Sequence, residues 1–197
     1  MLFPSSLLWI LGSDPFSSIS LFEGLGSARV CYFAYGSNLD ESVLRKRTKT
    51  SDSERIPSIP ATLDGYRLAF NSPQLLMGPA FASVMTSSKE NRVHGSVYEI
   101  NLNQYAWLLR TEGVPLTYKI QPVELEPYSN HSDSVLVKRN GIRSGSIFKI
   151  PAFTLLGTSE GPDRSPSKRY MNIVKTGARK HGLDEDYLSY LEAIDLM

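Results

Sequence analysis

Six residues near position 30 restrict what the chain can fold into more than any other stretch. Val30-Cys31-Tyr32-Phe33-Ala34-Tyr35 is apolar, β-branched or aromatic throughout and stops at Gly36. A short run of this kind reads as a buried strand. The residues after the stop, Ser37-Asn38-Leu39-Asp40, follow the Ser-x-x-acid pattern that opens helices, and a short basic helix through Leu44 and Arg47 is expected next. The strand must therefore pass into a helix through one tight turn. Backbone N–H groups at such a junction point outward and the helix dipole favours negative charge, so the turn Tyr35 to Leu39 can hold a carboxylate.

The rest of the chain alternates strand and helix signals. A loop spans Thr48 to Pro60, and Ala61 to Phe70, Ala80 to Thr86 and Arg92 to Ile100 each mix β-formers with polar residues between Gly, Pro or Asn breaks, which predicts three further strands. Asn101 to Arg110 is predicted helical, with Leu102, Ala106 and Leu109 on one face. Strand character returns at Thr117 to Leu125 and at Ile147 to Leu155. Ser165-Pro166 is a good helix start, because proline in the first turn gives up no needed hydrogen bond. Tyr170, Ile173, Val174, Gly177, Ala178 and His181 then mark one face, Gly182 supplies the stop, and Asp184 can cap a last helix carrying Tyr187, Leu188, Leu191 and Ile194. The pattern predicts an α+β fold with a strongly curved sheet.

Charge and cysteine usage narrow the function classes. Lys and Arg number 21 against 20 Asp and Glu, and the net charge of +1 supplies no field for drawing in nucleic acid or an anionic membrane, so the expected partner is a small molecule. The single cysteine, Cys31, can form neither an internal disulfide nor a zinc site, which points to a reducing, cytoplasmic setting. Cys31 reads as a small core residue, close enough to the turn to be an oxidation point. His94, His131 and His181 are widely separated and lack metal-ligand spacing, so no metal and no cofactor are expected. Ser37 lacks the elbow of a hydrolase nucleophile and reads as a hydrogen-bond donor. Arg45-Lys46-Arg47 reads as a solvated helix end. Residues 1–29 form an expected disordered extension: the apolar run Leu7 to Leu11 is too short to span a bilayer, and no Lys or Arg precedes Arg29 as a signal peptide would require. Residues 30–197 form the expected catalytic domain. Oligomeric state is open.

The string Tyr32-Phe33-Ala34-Tyr35-Gly36-Ser37-Asn38-Leu39 resembles the signature of the γ-glutamylcyclotransferases, and Thr111-Glu112-Gly113-Val114 is similar to a second motif of that family. Pro166-Ser167-Lys168-Arg169-Tyr170, Gly177-Ala178-Arg179 and His181-Gly182-Leu183 resemble its closing helices in the same order. The resemblance covers Val30 to about Ile194. It implies a compact, barrel-like mixed sheet flanked by helices, with substrate held by the residues of the Tyr32 to Leu39 string. It implies Glu112 as the catalytic acid and base, and Tyr118, with one residue fewer in the interval, as a further pocket residue. The family also places a substrate-binding Tyr shortly before its Pro-Ser segment, and Ser159-Glu160-Gly161-Pro162-Asp163 has none.

The implied reaction converts a γ-glutamyl amino acid or peptide to 5-oxoproline and a free amine. The substrate's own α-amine attacks its γ-carbonyl, so no enzyme nucleophile is required, and one carboxylate can take the proton and return it. Three other readings stay open, the first a cyclotransferase that acts on glutathione-derived conjugates in specialised metabolism. The related γ-glutamylamine cyclotransferases act on isopeptide-type adducts and carry a Tyr-Gly-Thr-Leu type of loop, whereas this chain has Tyr-Gly-Ser-Asn-Leu. A non-catalytic γ-glutamyl-binding protein would have no need of a positioned base such as Glu112.

Overall fold

The computed structural model describes residues 28–72, 80–144, 147–159 and 161–197; the predicted N-terminal extension lies outside them, apart from its last two residues. The elements run β1 (Arg29–Ala34), a 3-10 turn (Ser37–Leu39), α1 (Glu41–Thr48), β2 (Ser58–Asp64), β3 (Tyr66–Ser72), β4 (Phe81–Thr86) and β5 (Arg92–Asn101). They continue through α2 (Leu102–Thr111), β6 (Tyr118–Pro127), α3 (Val135–Asn140), β7 (Ile142–Ser144), β8 (Ile147–Gly157), α4 (Lys168–Lys180) and α5 (Glu185–Glu192).

Five strands close on themselves in the order β1, β5, β2, β6, β8 and back to β1, with β7 appended to β8. An odd number of strands cannot alternate direction all the way round, so one neighbouring pair must run parallel. That pair is β1 and β8, joined at Tyr32 and Phe153, while the other four pairings are antiparallel. The fold is α+β with a barrel-like sheet, as expected. β3 and β4 form a separate hairpin laid against the barrel, and the Ser83 hydroxyl accepts a 2.8 Å hydrogen bond from the Gly157 amide of β8.

Alternation along β1 divides the apolar residues between two clusters. Phe33 enters the larger cluster with Val97, Val123, Leu125 and Ile150 of the barrel, closed over by Leu136 and Val137 of α3 and by Met171 and Val174 of α4. Tyr32 and Ala34 face the opposite way, onto Leu44 of α1 and Leu108 of α2.

Several boundaries differ from the sequence expectation for local reasons. The single strand expected over Ala61 to Phe70 is two strands, because the backbone bends at Gly65, whose N–H bonds Asn91 and whose C=O bonds Ser87. α2 buries Gln104 and Leu108 and leaves Ala106 exposed, so its inward face is rotated from the one expected. Its start is a reciprocal cap: the Asn101 side chain accepts from the Gln104 amide and the Gln104 side chain from the Asn101 amide, both at 2.8 Å. α4 begins two residues later than expected, with Ser167 as its cap. The short α3 and β7 were not anticipated.

Asp40, not Ser37, caps α1: its carboxylate accepts 2.9 and 2.6 Å bonds from the Ser42 amide and hydroxyl, and Lys180 lies 3.4 Å away. Burial alone would push this carboxyl up; the Ser42 bonds and Lys180 outweigh burial and hold it below the ordinary range. A folded-state value below the unfolded one means that the stabilisation is complete above the unfolded carboxylate range and is lost as pH falls through the folded value. Asp40→Ala is therefore expected to cost about 1 kcal/mol near neutrality, and thermal melts taken down the pH scale should show this penalty shrinking in acid. A pH-independent penalty would contradict the assignment.

Candidate active site

β1 delivers its chain end to a tightly packed corner. A Cβ on Gly177 of α4 would lie 2.4 Å from the Leu39 carbonyl carbon and 2.5 Å from the Asp40 nitrogen, so the helix backbone rests directly on the turn. The Tyr98 hydroxyl donates to the Leu39 carbonyl at 3.0 Å, and the Tyr35 hydroxyl donates to the Leu155 carbonyl across the cleft. The Tyr98 hydroxyl also lies 2.6 Å from His181 Nε2, and the Ser96 hydroxyl lies 3.2 Å from its Nδ1. Burial lowers the basicity of His181, which suits a neutral ring held in a support network. The N–H groups of Ser37 and Asn38 open the 3-10 turn, where the first donors have no acceptor within the turn.

Glu112 arrives from α2, which packs beside α1 against the outward-facing residues of β1. It is the C-cap of α2, its N–H bonding the Leu108 carbonyl at 2.9 Å, and Gly113 follows at φ 72°, a left-handed conformation that lets the chain leave the helix sharply. The Glu112 side chain is 11% exposed, and its Oε1 accepts from Asn38 Nδ2 at 2.7 Å and from Arg47 Nη1. Asn38 Nδ2 also donates to the Tyr32 hydroxyl at 2.9 Å, while Asn38 Oδ1 accepts from Arg47 at 2.7 Å. One carboxamide thus ties the turn, the acid and the cation together.

These groups line a narrow cleft that encloses about 30 Å³. Among the expected residues it brings together Tyr32, Tyr35, Gly36, Ser37, Asn38, Glu112 and Tyr118. Phe33, Ala34 and Leu39 do not line it: all three are fully buried, Phe33 inside the barrel by strand alternation, Ala34 beneath α1, and Leu39 against Gly177. Their part is to shape the strand and turn. The Ser37 hydroxyl, read from the sequence as a donor, accepts from Arg47 at 3.2 Å.

Tyr170 and Arg47 line the cleft, although the sequence offers Tyr170 only as a helix-face residue and Arg47 only as part of a solvated basic run. Tyr170 sits in the first turn of α4, where its hydroxyl accepts from the Ala82 amide at 3.1 Å; the Tyr118 hydroxyl donates to the Ala82 carbonyl, also at 3.1 Å, so the β3–β4 hairpin is pinned over the cleft from two sides. Arg47 lies three residues after the buried Leu44 and one before the buried Thr48, a spacing that places it at the edge of the inward face of α1. That spacing was the available signal. Burial first, with help from neighbouring acidic groups, pushes the hydroxyls of Tyr32, Tyr35 and Tyr170 well above their ordinary range, so they stay protonated near neutrality.

Cys31 is the small core residue expected, and only its reading as an oxidation point is corrected. It lies inside the barrel, where burial, reinforced by the Glu99 carboxylate and opposed by Arg139, pushes the thiol up to about 12. A thiol so reluctant to ionise is a poor oxidation point. The three histidines do not line the cleft, and among the described residues no group of three or more His, Cys, Asp or Glu is placed to hold a metal ion. No helix among the described residues is long and apolar enough to cross a membrane.

Known proteins share parts of this sequence and fold. The chain is 27% identical over 191 residues to the γ-glutamyl cyclotransferase aclK of Aspergillus oryzae, covering 89% of this chain and 65% of that protein. It is 28% identical over 185 residues to the γ-glutamyl cyclotransferase gliK of Aspergillus fumigatus, covering 84% of this chain and 62% of that protein. The matches thus span a little under two thirds of these relatives' lengths. A solved structure described as γ-glutamyl cyclotransferase shares the fold, with a TM-score of 0.68 at 23% identity, over 86% of this chain and 90% of that one. Residues 32–150 match the family described as γ-glutamyl cyclotransferase, AIG2-like, a span that includes both the Tyr32 to Leu39 string and Glu112, and the chain belongs to that family.

Proposed function

We propose that this protein converts γ-glutamyl amino acids or peptide conjugates to 5-oxoproline and a free amine, with Glu112 as the group that moves protons. The observation that carries this reading is the 2.7 Å bond between Glu112 and Asn38, which sets a half-buried carboxylate, 74 positions away in sequence, against the turn after β1. The turn supplies neutral donors and the acid supplies a base, which together suit a zwitterionic γ-glutamyl end.

In the proposed step the α-ammonium gives a proton to Glu112 and the freed amine attacks the γ-carbon. A C–N bond forms and a five-membered tetrahedral intermediate results. Its collapse breaks the bond to the leaving nitrogen, which takes the first proton back from Glu112, and the surplus proton still on the attacking nitrogen passes by the same carboxylate to the departing amine, which leaves as an ammonium. Atoms and charge balance without water or a covalent enzyme adduct. Holding the chain bent is the larger part of the work, because both reacting groups belong to one molecule.

The test is mass-spectrometric. A γ-glutamyl dipeptide should release 5-oxoproline, while its N-acetyl analogue, which has no attacking lone pair, should be inert. Release of free glutamate would mean that water attacks and would remove the cyclotransferase reading. γ-Glutamyl-lysine isopeptide, included in the panel, should turn over more slowly than the dipeptide; the reverse order would favour the γ-glutamylamine class.

A further inference from the structure

Arg47 and Glu112 form an ion pair in the cleft, yet each uses only one of its terminal atoms in it. Arg47 Nη1 makes all three of the contacts, to Ser37 Oγ, Asn38 Oδ1 and Glu112 Oε1. Arg47 Nη2 and Nε, and Glu112 Oε2, have no partner among the described residues. Asn38 donates to the acid and accepts from the guanidinium, so the two charges are held side by side at a fixed separation. Arg47 is the one basic residue that lines the cleft among the described residues; the remaining lining is tyrosines, small residues and Leu155.

An α-amino acid end presents the complementary pair, a carboxylate and an ammonium a few ångströms apart. Resting on the proposed γ-glutamyl reading, we infer that Arg47 is the receptor for the α-carboxylate of the γ-glutamyl group, with the α-ammonium set against Glu112 Oε2. The ion pair does not need to break for this. A guanidinium carries five donors in a planar fork, and two of its nitrogens are open to a carboxylate in the bidentate geometry that arginine favours. Glu112 keeps Oε1 in its support network and offers Oε2 to the nitrogen that must be deprotonated. Arg47 is then a specificity residue. It makes a free α-carboxylate a requirement, and a γ-glutamyl group amidated at that position places an uncharged carboxamide against a charged fork.

The experiment compares two ligands within each variant, so that a general loss of fold or rate cancels. Binding of 5-oxoproline and of its carboxamide is titrated by calorimetry to the wild type, Arg47→Lys and Arg47→Gln, beside turnover of a γ-glutamyl dipeptide and its α-amide. The wild type is expected to prefer the carboxylate by about 10- to 100-fold, the range for a charge-assisted contact. Arg47→Gln should bring the ratio close to one, and Arg47→Lys should retain part of it. An unchanged ratio in Arg47→Gln, or no preference in the wild type, overturns the assignment. Binding preference that depends on Arg47 in a protein releasing no 5-oxoproline would uphold the receptor and defeat the proposed reaction, so the two failures are distinguishable.

Discussion

Glu112→Gln is expected to lower single-turnover release of 5-oxoproline by about 10²- to 10⁴-fold while 5-oxoproline still binds. Glutamine preserves the size of the side chain and keeps an oxygen to accept from Asn38 and Arg47, whose contacts with Glu112 Oε1 hold the acid in place. What it loses is the capacity to take a proton from the ammonium and return it to the leaving nitrogen. The substitution also removes one member of an ion pair, leaving the Arg47 charge without its partner in the cleft. Ligand affinity is therefore measured on the same preparation. Turnover near the wild-type rate would remove Glu112 as the proton carrier, whereas a large fall in turnover with binding retained is the expected signature.

Gly177→Ala is expected to destabilise the protein by about 2–3 kcal/mol, against the direction that helix propensity alone would give. Inside an ordinary helix the change from glycine to alanine gains about 1 kcal/mol. Here the added methyl would lie 2.4 Å from the Leu39 carbonyl carbon and 2.7 Å from the Leu39 Cβ, and the first of these is backbone that cannot rotate away. Relief requires α4 to lift from the turn, and overpacking of this kind costs about 1–3 kcal/mol or more. For a chain of this length the thermal midpoint should fall by about 4–12 °C. Catalysis should suffer with it, because the displaced turn carries Asn38, the residue that binds Glu112. A midpoint equal to or above the wild type would show that the turn yields easily and that the contact is not a constraint.

The legible parts of the fold were those whose information is local. Val30 to Tyr35 announced a buried strand through its composition, and β1 occupies Arg29–Ala34 with its last four residues fully enclosed. Gly182 was read as a helix stop and follows α4 at φ 63°. Expectations failed where a neighbour distant in sequence decides. The inward face of α2 is set by where it lies on β1 and β5, which placed Gln104 and Leu108 inward and Ala106 outward. Phe33 and Leu39 belong to the motif string, yet strand alternation and the contact with α4 turn them into core. Arg47 was read as solvated because three basic residues in a row are ordinary at a helix end. Its approach to Glu112 depends on the packing of α1 beside α2.

By itself the sequence determined the α+β class, the strand-to-helix turn at Tyr35 to Leu39, the identity of Glu112 as the acid to watch and, through its ordered motifs, the family. These are properties of short segments, written in residue types a few positions apart. Only the tertiary structure decided that five strands close through a parallel contact between Tyr32 and Phe153, and that Asn38, Arg47 and Glu112 meet in one network. It also decided that the β3–β4 hairpin and Tyr170 wall the cleft. The reason is physical: the closure and the cleft rest on pairings between segments roughly 65 to 120 residues apart, and the side chains that face one another across such a gap are chosen by packing, which no local pattern encodes.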